Sequence, residues 1–126
     1  MAHRIDFESL FSLKGRIALI SGASSGLGEH FAQVLSGAGA HVVVAARRSA
    51  KLTSLVQMLR DQGGKADAIT MDVTSRESVR DAFEAFDAQF TQLDILVNNA
   101  GIANPPLRFV DAVSYTHLRA HETQFH

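Results

Sequence analysis

Short apolar runs alternate with helical stripes along most of this chain. Arg16–Ser21 is a compact apolar run, too short for a helix and followed by glycine, and it predicts a buried parallel strand. From Leu27 to Ala38 the apolar residues Leu27, Phe31, Val34, Leu35 and Ala38 keep helical spacing, and Gly37 and Gly39 close that helix. His41–Ala46, rich in β-branched residues, predicts a second buried strand. Leu52, Leu55, Val56 and Leu59 mark a second helix stopped by Gly63 and Gly64, and Ala66–Met71 is a third, weaker strand. Thr74 and Ser75 offer caps for a third helix striped by Val79, Phe83, Phe86 and Phe90. Ile95–Asn98 is a fourth strand. A strand-helix alternation of this kind predicts an α/β fold, a parallel sheet with crossover helices on its faces.

Composition narrows the function classes. The chain has 126 residues, enough for one domain, with 46% hydrophobic and 20% charged residues. It has no cysteine, which excludes a disulfide framework, a thiolate metal site and a cysteine nucleophile, and fits a cytoplasmic setting. A net charge of -1 supplies no basic field for nucleic acid. No apolar run approaches the roughly 20 residues that span a bilayer, so neither a membrane nor a nucleic-acid partner is expected.

The first strand-to-helix turn reads Ser21-Gly22-Ala23-Ser24-Ser25-Gly26-Leu27-Gly28. A helix amino terminus presents unpaired N–H groups and partial positive charge, which suits a diphosphate. Glycine lets the backbone turn sharply and approach a ligand that a Cβ would strike. Ser24 and Ser25 add hydroxyl donors. A strand-to-helix turn can use glycine for packing alone, but this one opens a βαβ unit, which favours a dinucleotide. In a NAD-binding unit an acid about 20 residues on holds the ribose 2′-hydroxyl. Here that count reaches Ala46, and Arg47 and Arg48 follow. An arginine pairs with a 2′-phosphate that a carboxylate would repel, so NADP(H) is expected over NAD(H), with Arg47 the better candidate. Two solvated arginines at a strand end are the plainer reading.

The spacing Gly-x-x-x-Gly-x-Gly resembles that of the short-chain dehydrogenase/reductase family, whose turn begins with threonine where this chain has Ser21. Asp72-Val73, after the third strand, and Asn98-Asn99-Ala100-Gly101, after the fourth, are similar to two further family motifs, and the likeness runs from about Leu13 to Val110. The resemblance implies a Rossmann-like doubly wound sheet. It implies that Asp72 and the Val73 N–H meet the adenine, that Asn99, Ala100 and Gly101 line the cofactor, and that Asn98 ties the central strands. Together with Gly22, Ser24, Ser25, Gly26, Leu27, Gly28, Arg47 and Arg48, these form the expected cofactor site.

The family's catalyst, a serine with a Tyr-x-x-x-Lys pair and an asparagine, is expected well downstream. The single tyrosine, Tyr115, lies too close behind Gly101, and four positions on stands Arg119 in place of lysine. No catalytic residue is therefore assigned. Val113–Thr123 resembles a translated sequencing-library adapter, which divides the chain into residues 1–112, a partial dinucleotide-binding domain truncated after the fourth strand, and residues 113–126, a non-native tail. His117 and His121 with Glu122 have the spacing of metal ligands on a helix, but fall in that tail, and no metal site is expected. His3, His30 and His41 stand alone and receive no role. The resemblance implies a parent oxidoreductase that moves hydride between NADP(H) and a small-molecule carbonyl or alcohol, with a homo-oligomer in the parent and not in this piece. A dinucleotide-sensing domain without a catalyst would show the same residues. A methyltransferase on a related fold would carry an acid where Arg47 stands. Ending after the fourth strand is expected to leave that strand's outer edge unpaired.

Overall fold

The structure, a computed structural model, describes residues 12–47, 49–99 and 124–125. The strands are β1 (Ile17–Ser21), β2 (His41–Ala46), β3 (Lys65–Thr70), β4 (Ile95–Asn98) and β5 (Gln124–Phe125). The helices are α1 (Gly26–Gly37), α2 (Ser49–Asp61) and α3 (Arg76–Gln89). The sheet order is β3-β2-β1-β4-β5, and every pairing is parallel. The four predicted strands thus form the doubly wound arrangement, with the chain reversing direction across the sheet between β1 and β4. The outer edge of β4 is where the outcome departs from expectation. Gln124 and Phe125 pair there with Leu96 and Val97. An open strand edge offers unpaired N–H and C=O groups to any extended segment, and this one is met by the end of the same chain.

Alternation along the strands sends side chains to two cores. Ala18, Ile20, Val42 and Val44 pack beneath α1 and α2 with Leu52, Leu55, Val56 and Leu59. Leu19, Val43, Ala45 and Leu96 pack on the opposite face against Val79, Phe83 and Phe86 of α3. The α3 stripe is buried as predicted, with Phe90 half-buried behind it. The α1 stripe is divided: Phe31 and Leu35 are half-buried and pack against the core, Leu27 is 57% exposed and Val34 54%, and the residues α1 buries fully are Gly28 and Ala32. Small residues let α1 lie close to the sheet, which leaves Leu27 and Val34 at the rim.

Asp94 fastens the start of the β1–β4 pairing. Its side chain is 8% exposed. Oδ2 accepts from the Ile17 N–H at 2.8 Å and from the Gln92 amide at 2.7 Å, and Oδ1 meets Arg16 at 3.5 Å. His41 is not isolated either: its Nε2 lies 2.6 Å from Asp67 Oδ2 on the neighbouring strand, and its ring meets Phe90 edge-on at 5.0 Å. Arg60 donates to the Ala66 carbonyl and to Asp67 Oδ1, covering part of the β3 edge. Among the described residues, no helix is long and apolar enough to cross a membrane.

Candidate functional site

Parallel strands bring the β1–α1 turn, the end of β2, the β3–α3 turn and the end of β4 to one edge of the sheet. The β1–α1 turn starts at Gly22, whose φ of 66° is one that L side chains rarely adopt. Its position against β2 is fixed by the Ala23 N–H, which donates to the Ala45 carbonyl at 3.2 Å. Ser25 is the N-cap of α1, and its hydroxyl oxygen accepts from the Gly28 N–H at 3.2 Å. The N–H groups of Ser24, Gly26 and Leu27 take no hydrogen bond among the described residues, as expected of a helix first turn.

The two glycines of α1's first turn do different things. A Cβ on Gly28 would lie 2.4 Å from the Gly22 carbonyl oxygen and 2.8 Å from Ala23 Cα, both backbone, so Gly28 is required for the helix to pack on its own turn. A Cβ on Gly26 would meet nothing within 4 Å among the described residues. Gly26 therefore bounds an open space that the described residues do not fill, flanked by N–H groups without a partner among those residues, at the positive end of a twelve-residue helix. A diphosphate fits that cradle in charge and in clearance. Leu27 contributes backbone there, since its side chain is exposed.

Beside it, Arg47 follows β2 and is exposed. Asp72 follows β3, and its Oδ1 accepts from the Thr74 hydroxyl at 2.7 Å and from the Thr74 N–H at 3.0 Å. Those two bonds hold its carboxyl below the usual aspartate range, with a smaller contribution from the Arg47 charge. Arg47 is thus close enough to Asp72 to be felt electrostatically. Val73 is half-buried at the rim of the α3 core, and its N–H takes no hydrogen bond among the described residues.

The end of β4 reaches the same turn. Ser21 Oγ lies 3.1 Å from Asn98 Oδ1 and accepts from the Asn99 N–H at 3.1 Å. The Asn98 contact agrees with its expected role between the central strands. The Asn99 side chain donates to the Gly22 carbonyl at 3.3 Å and to Ser25 Oγ at 3.0 Å. That cross-strand tie was not readable from spacing, because it joins residues more than seventy positions apart. Arg48, Ala100 and Gly101 of the expected site, and Tyr115, His117, His121 and Glu122, lie outside the described residues.

Known proteins share this arrangement. The family model for short chain dehydrogenases matches residues 16–119. A fatty acyl-CoA reductase of Acinetobacter baylyi is 38% identical over 96 residues, covering 75% of this chain and 32% of that protein. The solved Pseudomonas aeruginosa RhlG/NADP active-site complex is 41% identical with a TM-score of 0.69, covering 73% of this chain and 37% of that one. A gluconate 5-dehydrogenase from Burkholderia cenocepacia, solved with NADP and tartrate, is 35% identical with a TM-score of 0.75, covering 88% of this chain and 50% of that one. The chain spans about a third of the length of the curated relatives it matches. Because the family match runs through the glycine turn, Asp72 and the end of β4, the chain belongs to the short chain dehydrogenase family.

Proposed function

We propose that this chain supplies the NADP(H)-binding half of an oxidoreductase that exchanges hydride between the cofactor and a small-molecule carbonyl or alcohol. The observation that carries the reading is the open space at Gly26, with the free N–H groups of Ser24, Gly26 and Leu27 around it. The diphosphate lies there, against the start of α1. Arg47 and Arg48 take the 2′-phosphate, Asp72 and the Val73 N–H take the adenine, and the Asn99-Ala100-Gly101 segment borders the nicotinamide side. Arg47 and Asp72 divide the work by charge: the arginine attracts a phosphate, while Asp72, already engaged by Thr74, keeps Oδ2 to accept from an amino group. The hydride chemistry belongs to the nicotinamide, and these residues bind and orient it. The catalytic serine, tyrosine and lysine belong to a part of the parent protein beyond Gly101, so this chain alone binds cofactor without turnover. The parent is a cytoplasmic homo-oligomer.

Support for NADP over NAD comes from the exposed Arg47 at the end of β2 and from the two solved relatives that carry NADP. Calorimetric titration of the chain with NADP and with NAD tests it. Tighter binding of NADP is expected, and Arg47→Glu is expected to reverse the preference by adding the acid that a 2′-phosphate opposes. Equal affinity for the two dinucleotides in the unaltered chain would overturn the assignment of NADP, and no binding of either would overturn the site.

A further inference from the structure

We propose that Asn99 is a positioning residue of the dinucleotide cradle, and that Ser25 holds the cradle's shape and does not touch the phosphate. A serine hydroxyl has one proton and two lone pairs. At Ser25 all three are used: the proton goes to the Gly22 carbonyl at 2.9 Å, and the lone pairs accept from the Gly28 N–H at 3.2 Å and the Asn99 amide at 3.0 Å. Nothing remains for a phosphate oxygen. Ser24, whose hydroxyl has no such engagement among the described residues, and the N–H groups of Gly26 and Leu27 stay available.

Asn99 is what completes this saturation. Its amide faces the Gly22 carbonyl, which can only accept, so the NH2 side of the amide is turned to the cradle. From there it bridges Gly22 and Ser25, the first residue of the turn and the helix cap, while its own backbone N–H is fixed on Ser21. The end of β4 therefore sets the rotamer of the α1 cap. Any shift of Asn99 is transmitted to the first turn of α1 through two hydrogen bonds. This role presupposes the dinucleotide reading above, but its first readout needs no ligand.

The test is amide exchange at Gly28 by NMR on the ligand-free chain, followed by NADP titration of the same samples. Asn99→Ala is expected to speed Gly28 exchange about five-fold, the scale of a lost N-cap, although Asn99 never contacts that N–H. Ser25→Ala is expected to do the same, Ser25→Thr to leave exchange slow, and the Ser25→Ala/Asn99→Ala double variant to go no further than either single. Asn99→Asp, which keeps size and the backbone bond to Ser21 while removing both donors, is the companion if Asn99→Ala disturbs the fold. NADP affinity is expected to fall equally in both alanine variants and no further in the double. Unchanged Gly28 exchange in Asn99→Ala and Asn99→Asp would overturn the positioning role. Additive losses of NADP affinity would overturn it too, since they would mean that Ser25 and Asn99 touch the ligand separately. If no variant and not the unaltered chain binds NADP, the dinucleotide reading fails, and the exchange pattern still decides the tie.

Discussion

Two of the helices start on a serine cap at the same edge of the sheet, and they treat that start differently. At α3, Ser75 accepts from the Ser78 N–H at 3.1 Å, and Ser78 Oγ accepts from the Asp72 N–H at 2.9 Å. Asp72 in turn accepts twice from Thr74. The turn satisfies itself from within seven residues. At α1, the cap makes the same bond, Ser25 to the Gly28 N–H, but the third helical position is glycine where α3 has Ser78. The remaining support arrives from Asn99, on another strand. The α1 turn thus ties its cap hydroxyl back to the protein, and borrows its rigidity from β4. Two turns at one edge of the sheet can share a cap and differ in what stands at the positions around it.

That comparison breaks most sharply at Gly28. Gly28→Ala forces a Cβ against the backbone of Gly22 and Ala23, and overpacking of that kind costs about 1–3 kcal/mol. Thermal unfolding is expected to show the loss, while Ser78→Ala at the matching place in α3 removes a single hydrogen bond and costs about 1 kcal/mol. Equal losses would mean that the two turns are packed alike. Next comes Gly26, whose Cβ would enter open space. Gly26→Val is expected to weaken NADP binding at least about ten-fold by occupying the cradle, with a stability change much smaller than that of Gly28→Ala. Retained affinity in that variant would place the ligand elsewhere.

Ser75→Ala removes the α3 cap and is expected to lower stability by about 1 kcal/mol, with a smaller loss of NADP affinity than Gly26→Val, because the turn it caps carries Asp72 and Val73 on the proposed adenine side and not the diphosphate cradle. A loss as large as that of Gly26→Val would blur the distinction between the turns. The smallest effect concerns Asp72. Its carboxyl is held below the ordinary aspartate value, first by Thr74 and least by Arg47. A depressed folded-state pKa stabilises the fold above the unfolded value of about 3.9 and loses that contribution as pH falls through the folded value. Thr74→Val removes the hydroxyl bond and is expected to raise the Asp72 pKa toward the ordinary range. A carboxyl-carbon NMR titration between pH 2 and 6 (about the window in which an aspartate titrates) reads this directly. An unmoved pKa would assign the depression to the remaining backbone bond from residue 74 and to Arg47 instead.

Much of this was legible along the chain because it is local. β2 and β4 begin and end where their apolar runs do, and Ser75 caps α3 as its place before the stripe predicts. The α3 stripe is buried because its phenylalanines are the bulk that fills one face of the sheet. The same periodicity held only in part at α1, where Phe31 and Leu35 pack against the core while Leu27 and Val34 are exposed. There the helix is brought close by glycine and alanine, and periodicity registers large residues rather than small ones. His41 looked solitary because its partner Asp67 belongs to the next strand, two positions beyond its paired residue Lys65.

The sequence by itself determined the order of strands and helices, the glycine turn between β1 and α1, the arginine in place of an acid after β2, and thereby the family resemblance. These depend on neighbours within a few residues, where side-chain volume, φ preference and charge act directly. Tertiary structure decided which glycine is packing and which is clearance, since Gly28 and Gly26 differ only in what stands opposite them. It also decided that the Ser25 hydroxyl is spent on the protein and that Asn99 braces the turn. It closed part of the β4 edge with Gln124 and Phe125. Each of these rests on two segments far apart in the chain meeting at van der Waals or hydrogen-bond distance, and a meeting of that kind is fixed by the register of the parallel sheet.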